Sequence, residues 1–363
     1  MTEARRNRAA IVGTGAIANA HAEALATLGI DLVAVVDHSP DRAQEFADRW
    51  GMPAVYATLA DLFASGVADV LHICTPPAPH AEQTIAALAA GLHVVCEKPA
   101  ALSLAELDAM TAAAEKYDRR LAIVFQQRSG TAAAHVRRLL DSNALGRPLV
   151  ATCQTLWYRA PEYFAVPWRG KWATEGGGPT LGLGIHQIDL LAWLLGEWST
   201  VQGQMWRLDR DTEMEDVSAG VITFERGTVA SVVTSALSPR ETSSIRIDTE
   251  LATVTLDHVY GHTRENWSIT PAPGVSEAVV ESWVFPEEDE GSGHIALIRE
   301  VYTAIDAGMP LPQLLEAPTR SFEIATALYS SAASGALVTR ATLRDDTERV
   351  NGLCLPLVAM PGY

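Results

Sequence analysis

The sequence predicts two folded units of different class. The first is a doubly wound, parallel α/β unit over residues 1–127, and the second an α+β unit on a large, mostly antiparallel open sheet over residues 128–363. Three observations carry this. Up to residue 125, short apolar runs alternate with Ala-rich stretches of helical spacing. Beyond residue 150, β-like runs crowd together with turn signals between them. The length of 363 residues, set against about 150 per domain, also suits two domains.

The early runs at 9–12, 31–36, 68–74, 93–96 and 121–125 are Val-, Ile- and Leu-rich and lack period-two alternation, as parallel strands buried on both faces should be. Between them, 16–28, 41–50, 59–65, 81–90 and 104–116 have helical spacing, so each strand returns by a right-handed crossover. Later strands are expected at 149–157, 200–207, 216–224, 228–236, 244–248, 253–257 and 276–285, with turns at 225–227 and 257–261. Amphipathic segments near 185–195, 293–307 and 318–337 read as helices, and Glu287 to Glu290 as a solvated acidic loop.

Composition narrows the function classes. Apolar residues make up 48% and charged residues 20%, as in an ordinary globular protein. Lys plus Arg is 27 against 44 for Asp plus Glu, so 27 − 44 = −17; this argues against nucleic-acid or anionic-membrane partners, which need a basic face. No apolar run approaches the roughly 20 residues of a membrane span. The basic start is followed by an apolar piece that Gly13 cuts at once, too short for a signal-peptide core, so a cytoplasmic location is expected. Cys74, Cys96, Cys153 and Cys354 lie far apart without a CxxC pair; Cys74 and Cys96 read as buried strand thiols, and no disulfide or metal site is expected.

Gly13-Thr14-Gly15-Ala16-Ile17-Ala18 follows the first strand and opens the first helix, fitting the dinucleotide fingerprint GxGxxA of a Rossmann unit. Gly13 allows the tight turn, Gly15 lets backbone approach a pyrophosphate, and Ala18 permits close helix–strand packing at a helix end that favours anions. Asp37, 19 residues beyond Ala18, suits the adenosine ribose hydroxyls and would repel a 2′-phosphate. NAD is therefore the expected cofactor, with NADP as the alternative that Ser39 or Arg42 would serve if the loop bent.

Glu97-Lys98-Pro99 after the fifth of these strands resembles the motif of the glucose–fructose oxidoreductase / inositol dehydrogenase / MocA (Gfo/Idh/MocA) family. Thr75-Pro76-Pro77-Ala78-Pro79-His80, Trp168-Arg169-Gly170 followed by Gly176-Gly177-Gly178, and Gly184-Ile185-His186-Gln187-Ile188-Asp189 agree with it in order and approximate spacing over residues 8–340. The resemblance implies an NAD(P)-dependent dehydrogenase or reductase acting on a sugar, polyol or related cyclic alcohol or ketone. It also implies a homodimer or homotetramer formed through the C-terminal sheet. Lys98 would stabilise a developing alkoxide. His186 would be the general acid/base, with Asp189 orienting it or holding a substrate hydroxyl. Thr75, Pro76, His80, Glu97 and Lys98 would line the cofactor, and Arg128, Trp168 and Arg169, with Lys98, His186 and Asp189, the substrate.

One departure stands out. The family pattern carries an Asp four residues before the His, and Gly182 occupies that place. Asp189 or a residue from elsewhere takes over, catalysis rests on Lys98 and His186, or the chain binds dinucleotide without oxidoreduction. An NAD-binding sensor and an NAD-dependent glycoside hydrolase are thus the rival readings. Residues 157–172 carry Trp157, Tyr158, Tyr163, Phe164, Trp168 and Trp172 with Arg159, Arg169 and Lys171, which suits either sugar rings or a subunit interface.

Overall fold

Six short strands line up in parallel in the order β3-β2-β1-β4-β5-β6, in a computed structural model that describes residues 7–312, 315 and 317–353. The first six residues and Cys354 lie outside the described residues. The strands are β1 (Arg8–Val12), β2 (Asp31–Val36), β3 (Ala54–Tyr56), β4 (Val70–Ile73), β5 (His93–Cys96) and β6 (Leu121–Ile123). Helices α1 (Ala16–Thr27), α2 (Pro40–Trp50), α3 (Leu59–Ser65), α4 (His80–Ala89) and α5 (Leu104–Lys116) connect them. β3 escaped the sequence reading because three residues show no period. The register places Val12 beside both Val36 and Ile73, and Ile73 beside Cys96. The carboxyl ends of β1, β2, β4 and β5 therefore finish level, and Gly13, Asp37, Cys74 and Glu97 leave the sheet along one edge, where open α/β sheets bind ligands.

The first unit is not one continuous stretch. It takes the chain up to Ala101, then Ala105–Val124, and then a segment returning from His294. Leu297, Ile298, Val301 and Tyr302 of that segment share a core with Ala18, Ala22 and Leu25 of α1. A single division after residue 127 leaves this return out.

The second unit opens with α6 (Thr131–Asp141) and carries an eight-stranded sheet in the order β13-β12-β11-β7-β10-β9-β8-β14. Its strands are β7 (Pro148–Tyr158), β8 (Trp198–Trp206), β9 (Val217–Phe224), β10 (Val229–Ser235), β11 (Leu237–Thr249), β12 (Ala252–His258), β13 (Trp267–Pro271) and β14 (Val338–Thr339). Only the β10–β7 pair is parallel. Between β7 and β8 lie two single-turn helices, α7 (Pro161–Phe164) and α8 (Trp172–Glu175), a π-turn over Thr180–Gly184, and α9 (Ile185–Leu195), which is buried throughout. A Cβ on Gly203 or Gly220 would stand 2.7 or 2.5 Å from Leu328 of α12 (Thr319–Ser334), so that helix presses directly on the sheet. Cys74, Cys96 and Cys153 are buried free thiols, and burial pushes Cys153 up to about 12.

The strand expected over 276–285 does not form. Residues Glu277–Glu281 make the short helix α10, and α11 (His294–Asp306) follows. Trp283 explains the difference: it is buried, its Nε1 donates to the Ala144 carbonyl at 3.2 Å, and its own carbonyl faces His135 Nε2 at 2.9 Å. The segment is anchored side-on to the region of α6 rather than added to a sheet edge, where β13, not expected, takes the outer place.

Candidate active site

In the first unit, the phosphate turn is built as its residues require. Gly13 sits at φ +89°, and a Cβ there would be 2.8 Å from the Cys74 carbonyl, so only glycine fits. Gly15 starts α1 with no side-chain cap, and a Cβ on it would meet nothing within 4 Å. No acidic side chain stands in the first turn, so the helix end keeps its amides and partial positive charge available to an anion. Ala18 is fully buried beneath them. These features fit the diphosphate of a dinucleotide.

Asp37 stands at the end of β2, almost fully buried. Its Oδ2 accepts from the Thr14 amide at 3.1 Å and the Thr14 hydroxyl at 2.7 Å; its Oδ1 accepts from the Ser39 amide and Arg42 Nη2, both at 2.9 Å. Burial works against its charge, but the Ser39 amide, the Thr14 hydroxyl and the Arg42 guanidinium outweigh it and hold the carboxyl below its usual range. Arg42 pairs with Asp37 while its side chain stays 57% exposed.

Two of the residues expected at the cofactor, His80 and Glu97, turn their polar side-chain atoms to partners within the protein. His80 has Nδ1 at 2.9 Å from the Pro99 carbonyl and Nε2 at 2.8 Å from the Thr75 carbonyl. Burial holds the ring toward its neutral form, so one nitrogen donates to one of these carbonyls and the other only lies beside the second, with the imidazole packed between the turn after β4 and the turn after β5. Glu97 turns its carboxylate inward: Oε1 faces His21 Nε2 at 3.0 Å and His294 Nε2 at 3.1 Å, and Oε2 accepts the Lys98 amide at 3.1 Å. Behind it, His21 Nδ1 meets His72 Nδ1 at 2.8 Å, and His72 Nε2 meets the Tyr302 hydroxyl at 3.0 Å. An ionised carboxylate only accepts, so His21 Nε2 carries a proton, His72 Nδ1 donates to His21, and Tyr302 donates to His72. Burial alone would push Glu97 up; His21 and His294 hold it well below the usual carboxylate range. The donor atoms of His21, Glu97 and His294 lie within 4.8 Å of one another, a grouping the sequence spacing gave no sign of. Thr75 donates its hydroxyl to Gln83 Oε1 at 2.8 Å, Pro76 follows it in the same turn, and Lys98 is half-buried at the end of β5.

In the second unit, Arg128 and Asp189 find each other. The guanidinium Nε and Nη2 donate to the two Asp189 oxygens, and both residues are fully buried. Burial raises the Asp189 carboxyl, opposed by Arg128 and by the Ser321 hydroxyl. An ion pair this enclosed holds a core together, because either charge alone would be costly there. Asp189, expected beside His186, and Arg128, expected at the substrate, thus face each other in the fold. His186 lies in the first turn of α9, 7% exposed.

Arg169 is stacked on Tyr163 at 3.8 Å and Trp168 at 4.2 Å, and its Nη1 donates to Glu175 Oε1 at 3.1 Å. Glu175 Oε2 accepts the Gly170 amide at 2.7 Å. Glu215, invisible from sequence, explains the glycine run. A Cβ on Gly178 would be 2.4 Å from the Glu215 carbonyl oxygen, and one on Gly177 would be 2.7 Å from the Tyr329 hydroxyl. Glu215 Oε1 accepts from Tyr329 at 2.7 Å and from the Thr180 amide at 3.0 Å, fixing the π-turn that leads to His186. Burial raises Glu215 to about 7.

A helix-start anion site beside a strand-end acid, in a chain whose other unit presents a histidine on a buried helix, defines the class: a dinucleotide-binding oxidoreductase. Residues 7–125 match the model of the oxidoreductase family with an NAD-binding Rossmann fold, and residues 133–255 match the GFO/IDH/MocA C-terminal domain. D-glucoside 3-dehydrogenase of Escherichia coli is 31% identical over 279 residues, covering 70% of this chain and 78% of that protein. Myo-inositol 2-dehydrogenase of Thermotoga maritima is 28% identical, over 52% of this chain and 55% of its own length. The structure of WlbA dehydrogenase from Bordetella pertussis, in complex with NADH and UDP-GlcNAcA, superposes with a TM-score of 0.82 at 27% identity, covering 92% of this chain and 99% of that one. The chain belongs to the Gfo/Idh/MocA family of oxidoreductases, and its first unit matches that family's NAD-binding Rossmann fold. Among the described residues, no helix is long and apolar enough to cross a membrane.

Proposed function

We propose that this enzyme oxidises a secondary hydroxyl of a sugar, glycoside or polyol, or reduces the matching ketone. The observation that carries the reading is the uncapped start of α1 at Gly15 with Asp37 at the level strand ends, in a chain related to dehydrogenases of glucosides and inositol. Gly13, Thr14, Gly15, Ala16 and Ile17 hold the diphosphate and Asp37 the adenosine ribose, while Thr75 and Pro76 line the nicotinamide end. NAD held by these residues would supply the hydride acceptor or donor. Lys98 stabilises negative charge on the substrate oxygen, and His186 takes or gives the hydroxyl proton. Trp168 and Arg169 offer a flat aromatic face and a cation for a ring and its hydroxyls. Val150, Val221 and Val229 are exposed neighbours on the open sheet, which supports a homodimer or homotetramer through that face. A cytoplasmic site of action accords with three buried free thiols.

The test is NAD reduction across a panel of glucosides, inositols and uronates, with the matching ketones assayed for NADH consumption. Lys98→Met should keep NAD affinity and lose at least about two orders of magnitude in turnover, roughly 3 kcal/mol of transition-state stabilisation. No redox turnover on the whole panel would favour the sensor reading, and glycoside cleavage without net NADH the hydrolase.

A further inference from the structure

A catalytic imidazole works through a partner that fixes its orientation and stabilises its charged form. His186 has a carboxylate three residues on, but Asp189 is locked to Arg128 in a fully buried pair. One turn before His186, Gly182 carries no side chain at all. It is also the open point of the π-turn: Gly182 is half-buried while Thr180, Leu181, Leu183 and Gly184 are buried. A Cβ built on Gly182 meets a single neighbour within 4 Å, Glu175 Oε1 at 3.8 Å. The carboxylate of Glu175 thus stands where a side chain rooted at 182 would reach.

We infer that Glu175 is the positioning carboxylate of this site, reaching over Gly182 to act on His186 in place of an acid on the helix itself. This rests on the proposed reaction and deepens it. Several observations favour the role over mere packing. Glu175 is buried and anchored: its Oε2 takes the Gly170 amide, and its Oε1 pairs with the partly exposed Arg169. Arg169 in turn is stacked between Tyr163 and Trp168, so the carboxylate is held from behind by a rigid aromatic clamp. The arrangement also gives Gly182 a reason. A Cβ there would stand in ordinary contact with Glu175 Oε1, and an acidic side chain would bring a second negative charge beside it.

The test uses three full-length variants: Glu175→Gln, Gly182→Asp, and the two together. Each is measured by kcat and KM on the best substrate, by the pH profile of kcat/KM, and by the His186 titration followed by NMR. Glu175→Gln should lower kcat by about tenfold or more with NAD affinity kept, and shift the His186 titration to lower pH, because the nearby negative charge is gone. Gly182→Asp alone should also lower kcat. The double variant should recover part of the loss and return the His186 titration toward the wild type, since the carboxylate has moved from residue 175 to residue 182. A packing role cannot be rescued this way, because an acid at 182 does not restore the bond to the Gly170 amide. Two outcomes overturn the inference: a Glu175→Gln variant with wild-type kcat and an unmoved His186 titration, or a double variant no better than Glu175→Gln. Absence of redox turnover in the wild type would instead sink the reaction, while the NMR titration would still decide whether Glu175 acts on His186.

Discussion

Glu97 and Glu215 are both carboxylates sealed in a core, one in each unit, and their titrations are moved in opposite directions. Glu97 is held well below the usual range and Glu215 is raised to about 7. Desolvation opposes the charge in both. Glu97 faces two imidazoles and a backbone amide. Glu215 faces a phenol and a backbone amide, and its Oε2 meets no hydrogen-bond donor among the described residues. Desolvation and donors pull in opposite directions, and the donors outweigh burial at Glu97 but not at Glu215.

The largest expected effect comes from breaking the ionised member. Glu97→Ala should cost about 3–5 kcal/mol in urea unfolding, because it strands His21 and the imidazole chain behind it. A loss under about 1 kcal/mol would mean the imidazoles do not depend on Glu97. The same network sets an acid limit. The His21 and His72 titrations are lowered by burial, so the folded state binds fewer protons there than the unfolded one. Their contribution is present above the ordinary histidine range and is lost as pH falls below it.

Glu215 has the opposite sign. Its folded value lies above its unfolded one, so its contribution is present at acid pH and lost as pH rises through about 7. Glu215→Gln removes that titration. The wild type should therefore lose up to about 3 kcal/mol relative to the variant between mildly acid and alkaline pH. Parallel stability curves would show that Glu215 does not change charge in this range.

Asp37 sides with Glu97: two amides, a hydroxyl and a guanidinium hold its carboxyl below the usual range. Asp37→Ala should narrow the preference for NAD over NADP by about tenfold in calorimetric titration, close to 1.4 kcal/mol. Tighter binding of NADP than of NAD by the wild type would overturn the assignment of Asp37 to the ribose.

The first unit was largely legible because its signals are local. Runs such as 31–36 and 93–96 carry their period within a few residues, and Gly13 and Gly15 report backbone geometry at their own positions. What was not legible depends on residues far apart in the chain. Arg128 and Asp189 are 61 residues apart, and Glu97 and His294 are 197 apart. Nothing in local spacing tells a polar residue meant for substrate from one meant for another side chain, so Arg128, Asp189, Glu97 and His80 were each expected at a ligand. Glu215 was missed for the same reason, since it faces Gly178 from 37 residues further along the chain.

The return of α11 to the first unit bears on how the chain is made. Leu297, Ile298, Val301 and Tyr302 complete the core around α1, and His294 completes the pairing of Glu97. A ribosome releasing the chain from its amino end presents six finished strands long before these residues emerge. The dinucleotide unit must therefore wait, with one flank of its core uncovered, until nearly the whole second unit has been synthesised. A fragment cut at residue 127 would resemble that waiting intermediate rather than an independent cofactor-binding module.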